Sequence, residues 1–294
     1  MKYFFIGSSS FSKSALKKLI ELEVNIIGAL TIKKLAEMDD HQDITDLCKE
    51  NNIPLSFYDK NNPNLLTQIL KNENPDVVFC LGWPRLLKKE VLNIPRFGVV
   101  GYHPAKLPLN RGRHPLIWTL ALGLKESAST FFIMDEGADS GDIISQKIFP
   151  IEDDDYAEDI YKRITHLGMD QLEDIYFKFE NGTIDLISQE NKDFSYWRKR
   201  SPSIDGIIDW RMSAENIRNL VRALSYPYSG AEFIYKEKHY SVLKAEIVLN
   251  NMLNIEPGKV LASSSKGIIV KCGQDSVLLS SVEPSIELKE GEYL

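Results

Sequence analysis

The chain has 294 residues, enough for one large domain or two modest ones. Its apolar share of 43% and charged share of 26% are those of a soluble globular protein, and no stretch approaches the roughly 18 apolar residues of a membrane span. A net charge of −7 removes the electrostatic footprint of a general nucleic-acid binder, and three widely spaced cysteines (Cys48, Cys80, Cys272) argue against a disulfide framework or zinc site and fit a reducing cytoplasm.

In chain order, "KYFFIG" (2–7) reads as a buried first strand rather than a signal peptide, because a Gly/Ser turn interrupts it and no small-residue cleavage site follows. A helix follows over 12–23, with Ser12 expected as its N-cap. "VNIIGALTI" (24–32) is the next strand. A polar helix near 43–51, a short strand at "IPLSFY" and a helix near 63–73 come after it. "PDVVFCLGW" (75–83) and "GVVGYH" (98–103) are two more buried strands. Strands apolar throughout and alternating with helices predict a parallel sheet covered on both faces, a doubly wound, Rossmann-like α/β arrangement. Ligands of such sheets bind beyond the carboxyl ends of the strands, where "CLGWPRLL" (80–87) and "GYHPAKLP" (101–108) fall.

The loop "GSSSF" (7–11) is not G-x-G-x-x-G, which speaks against a dinucleotide site. It reads either as a phosphate- or sugar-holding loop (Ser8, Ser9, Ser10, Phe11) or as an ordinary helix cap. "PLIWTLALGL" (115–124) reads as a helix. "ASTFFIMDEGADSGDIISQKIFPI" (128–151) reads as two strands around a tight acidic turn, and 155–179 as a long helix with an acidic start. Residues 186–205 are polar and lose their periodicity. The expected division is a catalytic domain over 1–190, a linker over 191–207 and a small β-rich, OB-like domain over 208–294.

The chemistry-bearing candidates are His103 at a strand end and Asp139 in the glycine-bounded turn. A His beside a carboxylate is an acid/base unit, and a donating imidazole stabilises an oxyanion. Sequence alone leaves open whether the two meet. No G-x-S-x-G elbow is present, and the five histidines lack metal-ligand spacing, so no metal is expected.

These residues carry a resemblance. "GYHPAKLPLNRGRHPLIW" (101–118) followed by "ASTFFIMDEGADSGDII" (128–144) resembles the N10-formyltetrahydrofolate-dependent formyltransferases, whose pattern is N-x-H, L-P-x-x-R-G, P-x-x-W, then T-x-x-x-M-x-x-x-x-D-x-G. His103, Leu107, Pro108, Arg111, Gly112, Pro115, Trp118, Thr130, Met134, Asp139 and Gly141 occupy those positions, with Ala128 where the family often has Gly. "IDWRMSAENIRNLVRALSYPYSGA" (208–231) is similar to the start of the family's C-terminal domain. One departure stands out: the family's catalytic Asn, two residues before the His, is Gly101 here. Loss of one oxyanion donor costs about two to three orders of magnitude in rate. His114, Asn110 and Tyr102 are the neighbours that can replace it, with His114 preferred; the plain alternative for His114 is a helix cap.

The resemblance implies transfer of a formyl group from N10-formyltetrahydrofolate to an amine, with His103 stabilising the oxyanion and Asp139 orienting the ring or taking the amine proton. It implies a donor site of Gly82, Trp83, Pro84, Arg85 and Leu86 with Asp135 and Gly137 of the acidic turn. Lys106, Arg111 and Arg113 join the Ser8–Phe11 loop as acceptor-binding residues. Two acceptor classes divide the family. The acidic balance, and a single dense basic run, "WRKRS" (197–201), favour a nucleotide-linked amino sugar, with N-formylation serving a cytoplasmic step of lipopolysaccharide or other glycan assembly. Methionyl-tRNA is the alternative acceptor, and a non-catalytic folate-binding relative is a second alternative. No nucleic-acid or membrane partner is expected; the oligomeric state is open, with the exposed strand edges of the β-rich domain the candidate surface for a homodimer.

Overall fold

The computed structural model describes residues 1–33, 40–190 and 192–294. In chain order the elements are β1 (Tyr3–Ile6), α1 (Ser10–Glu21), β2 (Ile26–Thr31), α2 (Thr45–Glu50), β3 (Leu55–Phe57), α3 (Leu65–Glu73), β4 (Val77–Cys80), α4 (Lys89–Leu92), β5 (Val99–His103), β6 (Arg111–Gly112), α5 (Pro115–Ala121), β7 (Glu126–Ile133), β8 (Ile143–Pro150) and α6 (Ala157–Asn181). They continue with β9 (Tyr196–Trp197), α7 (Pro202–Asp205), α8 (Ala214–Leu224), β10 (Ala231–Tyr235), β11 (Lys238–Val248), β12 (Val260–Ser264), β13 (Gly267–Lys271) and β14 (Ser276–Glu283).

Seven strands form one sheet in the order β3-β2-β1-β4-β5-β7-β8. The pairs β1–β2, β1–β4, β2–β3 and β4–β5 are parallel, and β5–β7 is antiparallel. The Rossmann-like expectation holds, and the physical reason is legible in β1 and β4. Every residue of both strands is buried, which only a sheet covered on both faces allows. Phe4, Ile6, Leu30, Val78, Cys80 and Val99 form one cluster of this core, each fully buried large side chain worth about 1.5–3 kcal/mol.

The first helix corrects the sequence reading. Helix α1 starts at Ser10 with Ser9 as N-cap, and Ser12 is its third residue, closing a capping box. The Ser12 hydroxyl accepts from the backbone N–H of Ser8 (3.0 Å) and Ser9 (2.9 Å) and donates to the Leu81 carbonyl at 2.6 Å. A helix start and the end of strand β4 are thereby joined by one buried oxygen.

Cα packing divides the chain into two compact units that interleave in sequence: residues 1–112, 127–149 and 162–196 in the first, and 113–126, 150–161 and 197–294 in the second. The sequence reading instead draws one boundary region at 191–207, and residue 191 lies outside the described residues. The second unit carries the five-stranded antiparallel sheet β10-β11-β14-β13-β12. Helix α8 supplies it with Ile217, Val221 and Leu224 as buried residues. The buried Arg222 explains why 150–161 joins this unit. Its guanidinium donates to the carbonyls of Asp155 (2.6 Å) and Glu152 (2.7 Å) and to Asn219 Oδ1 (2.9 Å), so its burial is matched by acceptors.

Candidate active site

Strand β5 places Gly101 and His103 on one face and Tyr102 on the other. Tyr102 stacks on Phe11 with ring centroids 3.9 Å apart, and its hydroxyl reaches Ser129 Oγ at 3.0 Å. Tyr102 is therefore core, not a donor in the site. Opposite His103 in the antiparallel register stands Thr130, and opposite Gly101 stands Phe132.

His103 is 4% exposed, so its ring nitrogens need partners within the fold. Nε2 lies 2.8 Å from the Asn110 carbonyl, which can only accept, so Nε2 carries the proton. The neutral ring thus offers a bare Nδ1, and Nδ1 faces Asp139 Oδ2 at 3.6 Å. Asp139 has a left-handed backbone (φ 55°), and its Oδ2 accepts from the Gly112 N–H at 2.8 Å. Oδ1 of Asp139 has no hydrogen-bond partner among the described residues. The structure thus brings His103 and Asp139 together, from positions thirty-six residues apart in the chain. The nearby Gly141 fits only as glycine, since a Cβ there would lie 1.7 Å from the Ile133 carbonyl oxygen.

The space beside His103 at Gly101 is not open. A Cβ at Gly101 would meet Met134 Cγ at 2.8 Å and the Phe132 ring at 2.9 Å. Two apolar side chains occupy the volume that the family motif gives to an amide, correcting the expectation that a donor fills it. Met134 also lines a cleft of about 890 Å³, together with Arg96, Phe97, Ile133, Asp135 and Gly137. The cleft rim carries an ion pair, Lys89 to Glu136, at 2.5 Å.

Of the residues expected to hold the donor, Asp135 and Gly137 line this cleft, whereas Trp83, Arg85 and Leu86 line a separate hollow of about 110 Å³ with Tyr58. The Trp83 ring meets Tyr58 edge-on, centroids 5.9 Å apart, and the Arg85 guanidinium lies 4.7 Å from the Tyr58 ring centre. Gly82 has φ 64° and sits so close to Ser9 that a Cβ would fall 2.0 Å from its hydroxyl; Pro84 follows at intermediate exposure. Loop 82–86 therefore packs on α1 and Tyr58 rather than on the cleft.

The acceptor-binding expectations fare similarly. Ser8 and Ser9 are buried, and Phe11 is core. Ser10 turns its hydroxyl to the Asp40 carbonyl at 3.3 Å. The "GSSSF" loop is a helix cap whose hydroxyls are used within the fold. Arg111 is 5% exposed and points inward, with Nη2 2.7 Å and Nε 3.2 Å from Gln189 Oε1. The rings of Phe194 and Tyr196 lie over its guanidinium. It braces the loop; it does not face solvent. Lys106 is half-buried on the strand-end loop. Arg113 and His114 belong to the second unit. His114 is the N-cap residue of α5 with φ 55°, but its side chain makes no capping hydrogen bond.

Sequence reading missed Gln189, Ser195 and Tyr196, which fall in the segment taken as aperiodic. The Ser195 hydroxyl accepts from the Asn110 N–H at 2.8 Å, and the Ser195 carbonyl from the Arg111 N–H at 3.0 Å. A buried Arg in a catalytic loop needs acceptors, and a lone Gln in a polar run was the available signal. The three thiols are buried; burial pushes Cys48 up to about 11, Cys272 up to about 12, and Cys80 higher, so none is a nucleophile at neutral pH. Among the described residues no group of three His, Cys, Asp or Glu side chains could hold a metal, and no helix is long and apolar enough to cross a membrane.

A largely parallel sheet with His103 at the end of β5 facing Asp139 in the turn after β7 is the setting of a candidate group-transfer site. Residues 1–174 match the family described as formyl transferase and residues 200–289 its C-terminal domain, and the chain belongs to the formyl transferase family. It is 30% identical over its whole length, and 96% of the relative's, to methionyl-tRNA formyltransferase of Caldanaerobacter subterraneus subsp. tengcongensis. It is 32% identical to that of Clostridium novyi over 96% of this chain and 92% of the relative. In fold it is similar to WlaRD, a sugar 3N-formyl transferase crystallised with dTDP and 5-N-formyl-THF, with a TM-score of 0.72 and 18% identity over 97% of this chain and 99% of the other.

Proposed function

We propose that this formyltransferase takes its formyl group from N10-formyltetrahydrofolate and delivers it to the amine of a nucleotide-linked amino sugar. The observation that carries the reaction is the His103–Asp139 pair with its tautomer fixed by the Asn110 carbonyl. A proton on Nδ1 makes that nitrogen a donor, with the Asp139 carboxylate 3.6 Å away. Nδ1–H then faces the formyl oxygen as it gains charge. As the amine nitrogen bonds to the formyl carbon, Oδ1 of Asp139 takes the surplus amine proton, directly or through one water, and returns it to folate N10 as the bond from the formyl carbon to N10 breaks, so that tetrahydrofolate leaves neutral at N10.

The donor fits the cleft of about 890 Å³. Its apolar wall of Phe97, Ile133 and Met134 suits a flat heterocycle, and Asp135 and Gly137 at its edge offer acceptors and an approachable backbone.

The acceptor reading rests on charge. Arg198 of the single dense basic run forks onto Asp205 at 2.6 and 2.7 Å and lies 5.1 Å from the Trp118 ring centre. Arg200 of that run is buried. Of the run, Arg198 is already paired and Arg200 is out of solvent, which leaves Lys199 as its exposed cation, unpaired among the described residues, for a polyanion, whereas a diphosphate sugar needs only a local site. Methionyl-tRNA is the second reading, favoured by the two whole-length relatives named for it. The deciding experiment incubates the enzyme with formyl donor and a panel of amino-sugar nucleotides, beside charged initiator tRNA. The expected outcome is a gain of one CO on an amino sugar. Formyl transfer to the aminoacyl-tRNA alone would replace the acceptor, and no product from any amine would leave a folate-binding protein.

A further inference from the structure

We propose that Gln189 is the positioning residue that holds Asp139 against His103. The inference rests on the reading of those two residues as the reacting pair. Gln189 is 3% exposed and uses its whole hydrogen-bonding capacity. Its Oε1 accepts from Arg111 Nη2 (2.7 Å) and Nε (3.2 Å), and its Nε2 donates to the carbonyls of Asp139 (3.1 Å) and Gly141 (2.6 Å). Only one orientation of the amide satisfies these partners, since a guanidinium only donates and a carbonyl only accepts.

The amide therefore joins the two loops that supply the site. On one side is the Asn110–Gly112 loop, whose Asn110 carbonyl fixes the His103 tautomer. On the other is the turn in which Asp139 adopts its left-handed backbone. A second tie runs in parallel, from the Gly112 N–H to Asp139 Oδ2. Gln189 is itself held from behind: two residues earlier, Ile187 exchanges both backbone hydrogen bonds with Ile143, at 2.8 and 2.9 Å. A left-handed non-glycine residue persists only where its surroundings hold it, and Gln189 grips the carbonyl of that residue itself and the one two residues on. The 3.6 Å gap between Nδ1 and Oδ2 is thus set from the segment after α6, by a residue that touches neither reactant.

The test compares Gln189→Glu, Gln189→Met and Asp139→Asn with the wild type. Q189E keeps an acceptor oxygen for both Arg111 bonds but loses both donors to the turn; Q189M loses all four bonds. If Gln189 positions Asp139, both variants lower kcat by about 10²-fold, the loss typical of a displacement near 1 Å. Both also shift the acid limb of the kcat–pH profile, while KM for the folate donor stays within about threefold. In a double-mutant cycle D139N/Q189M is no slower than D139N alone, because the two act through one group. Folinic acid binding and thermal melting confirm that each variant is folded. Wild-type kcat and profile in Q189E, with Q189M impaired, would assign Gln189 to bracing Arg111 and overturn the proposal. So would losses that multiply in the cycle. An active D139N would instead remove Asp139 from the reaction, a separate failure. Should Q189E not fold, Q189M in the same cycle decides by the same criterion.

Discussion

His103 is held at Nε2 by the Asn110 carbonyl and faces Asp139 with Nδ1, so the orientation of its ring is fixed. His103→Ala and Asp139→Asn are each expected to lower kcat by about 10² or more with folding intact, and the double variant to cost less than the product. Near-normal turnover in His103→Ala, measured at saturating donor and acceptor, would take the imidazole out of the mechanism. Gly101 makes the opposite prediction. Its missing Cβ is demanded by Phe132 and Met134, so Gly101→Ala should destabilise by about 1–3 kcal/mol through overpacking, read as a lowered urea midpoint at constant slope. Gly101→Asn, although it restores the family motif, should be no faster than the wild type. A faster G101N would show that the apolar wall gives way.

Among the elements, the start of α1 carries the clearest stability prediction. Ser12→Ala strips the partner from two buried N–H groups and from the Leu81 carbonyl. The expected loss is about 1–3 kcal/mol, with kcat unchanged at temperatures where the variant is folded. Helix α7 carries a pH prediction. The Arg198 fork, with the Ser201 N–H, holds the Asp205 carboxyl at about 2, below its ordinary 3.8. A depressed carboxyl contributes stability above its unfolded value and loses it as pH falls through the folded one. The wild type should therefore shed stability between about pH 4 and pH 2, and Asp205→Asn should melt lower than wild type at pH 7 but alike at pH 2. Equal melting temperatures at pH 7 would show that the fork contributes nothing, as for many exposed ion pairs.

Over the whole molecule, the net charge of −7, the pairing of Arg198 with Asp205 and the burial of Arg200 bear on the acceptor. The expectation is that initiator tRNA binds no tighter than about 1 µM at physiological salt, the range of non-specific contact. Filter binding across a salt series checks this. A sub-micromolar complex with a steep salt slope would favour the methionyl-tRNA reading that the sequence relatives support.

The sequence by itself determined the sheet, because strands buried on both faces must be apolar throughout, and β1 and β4 are. It also singled out His103 and Asp139 as the candidate pair, because a His at a strand end and an Asp between glycines are local signals with a family pattern behind them, while their meeting is a fact of the tertiary structure. Three things waited for the tertiary structure. Which hydroxyl of "GSSSF" caps the helix depends on a carbonyl sixty-nine residues beyond Ser12. The inward turn of Arg111 depends on Gln189, seventy-eight residues on. The filling of the Gly101 gap depends on two side chains of the antiparallel strand and the turn after it. In each case a buried polar or apolar group takes the partner that the fold brings to it, and a pattern read along the chain carries no record of a partner that far away.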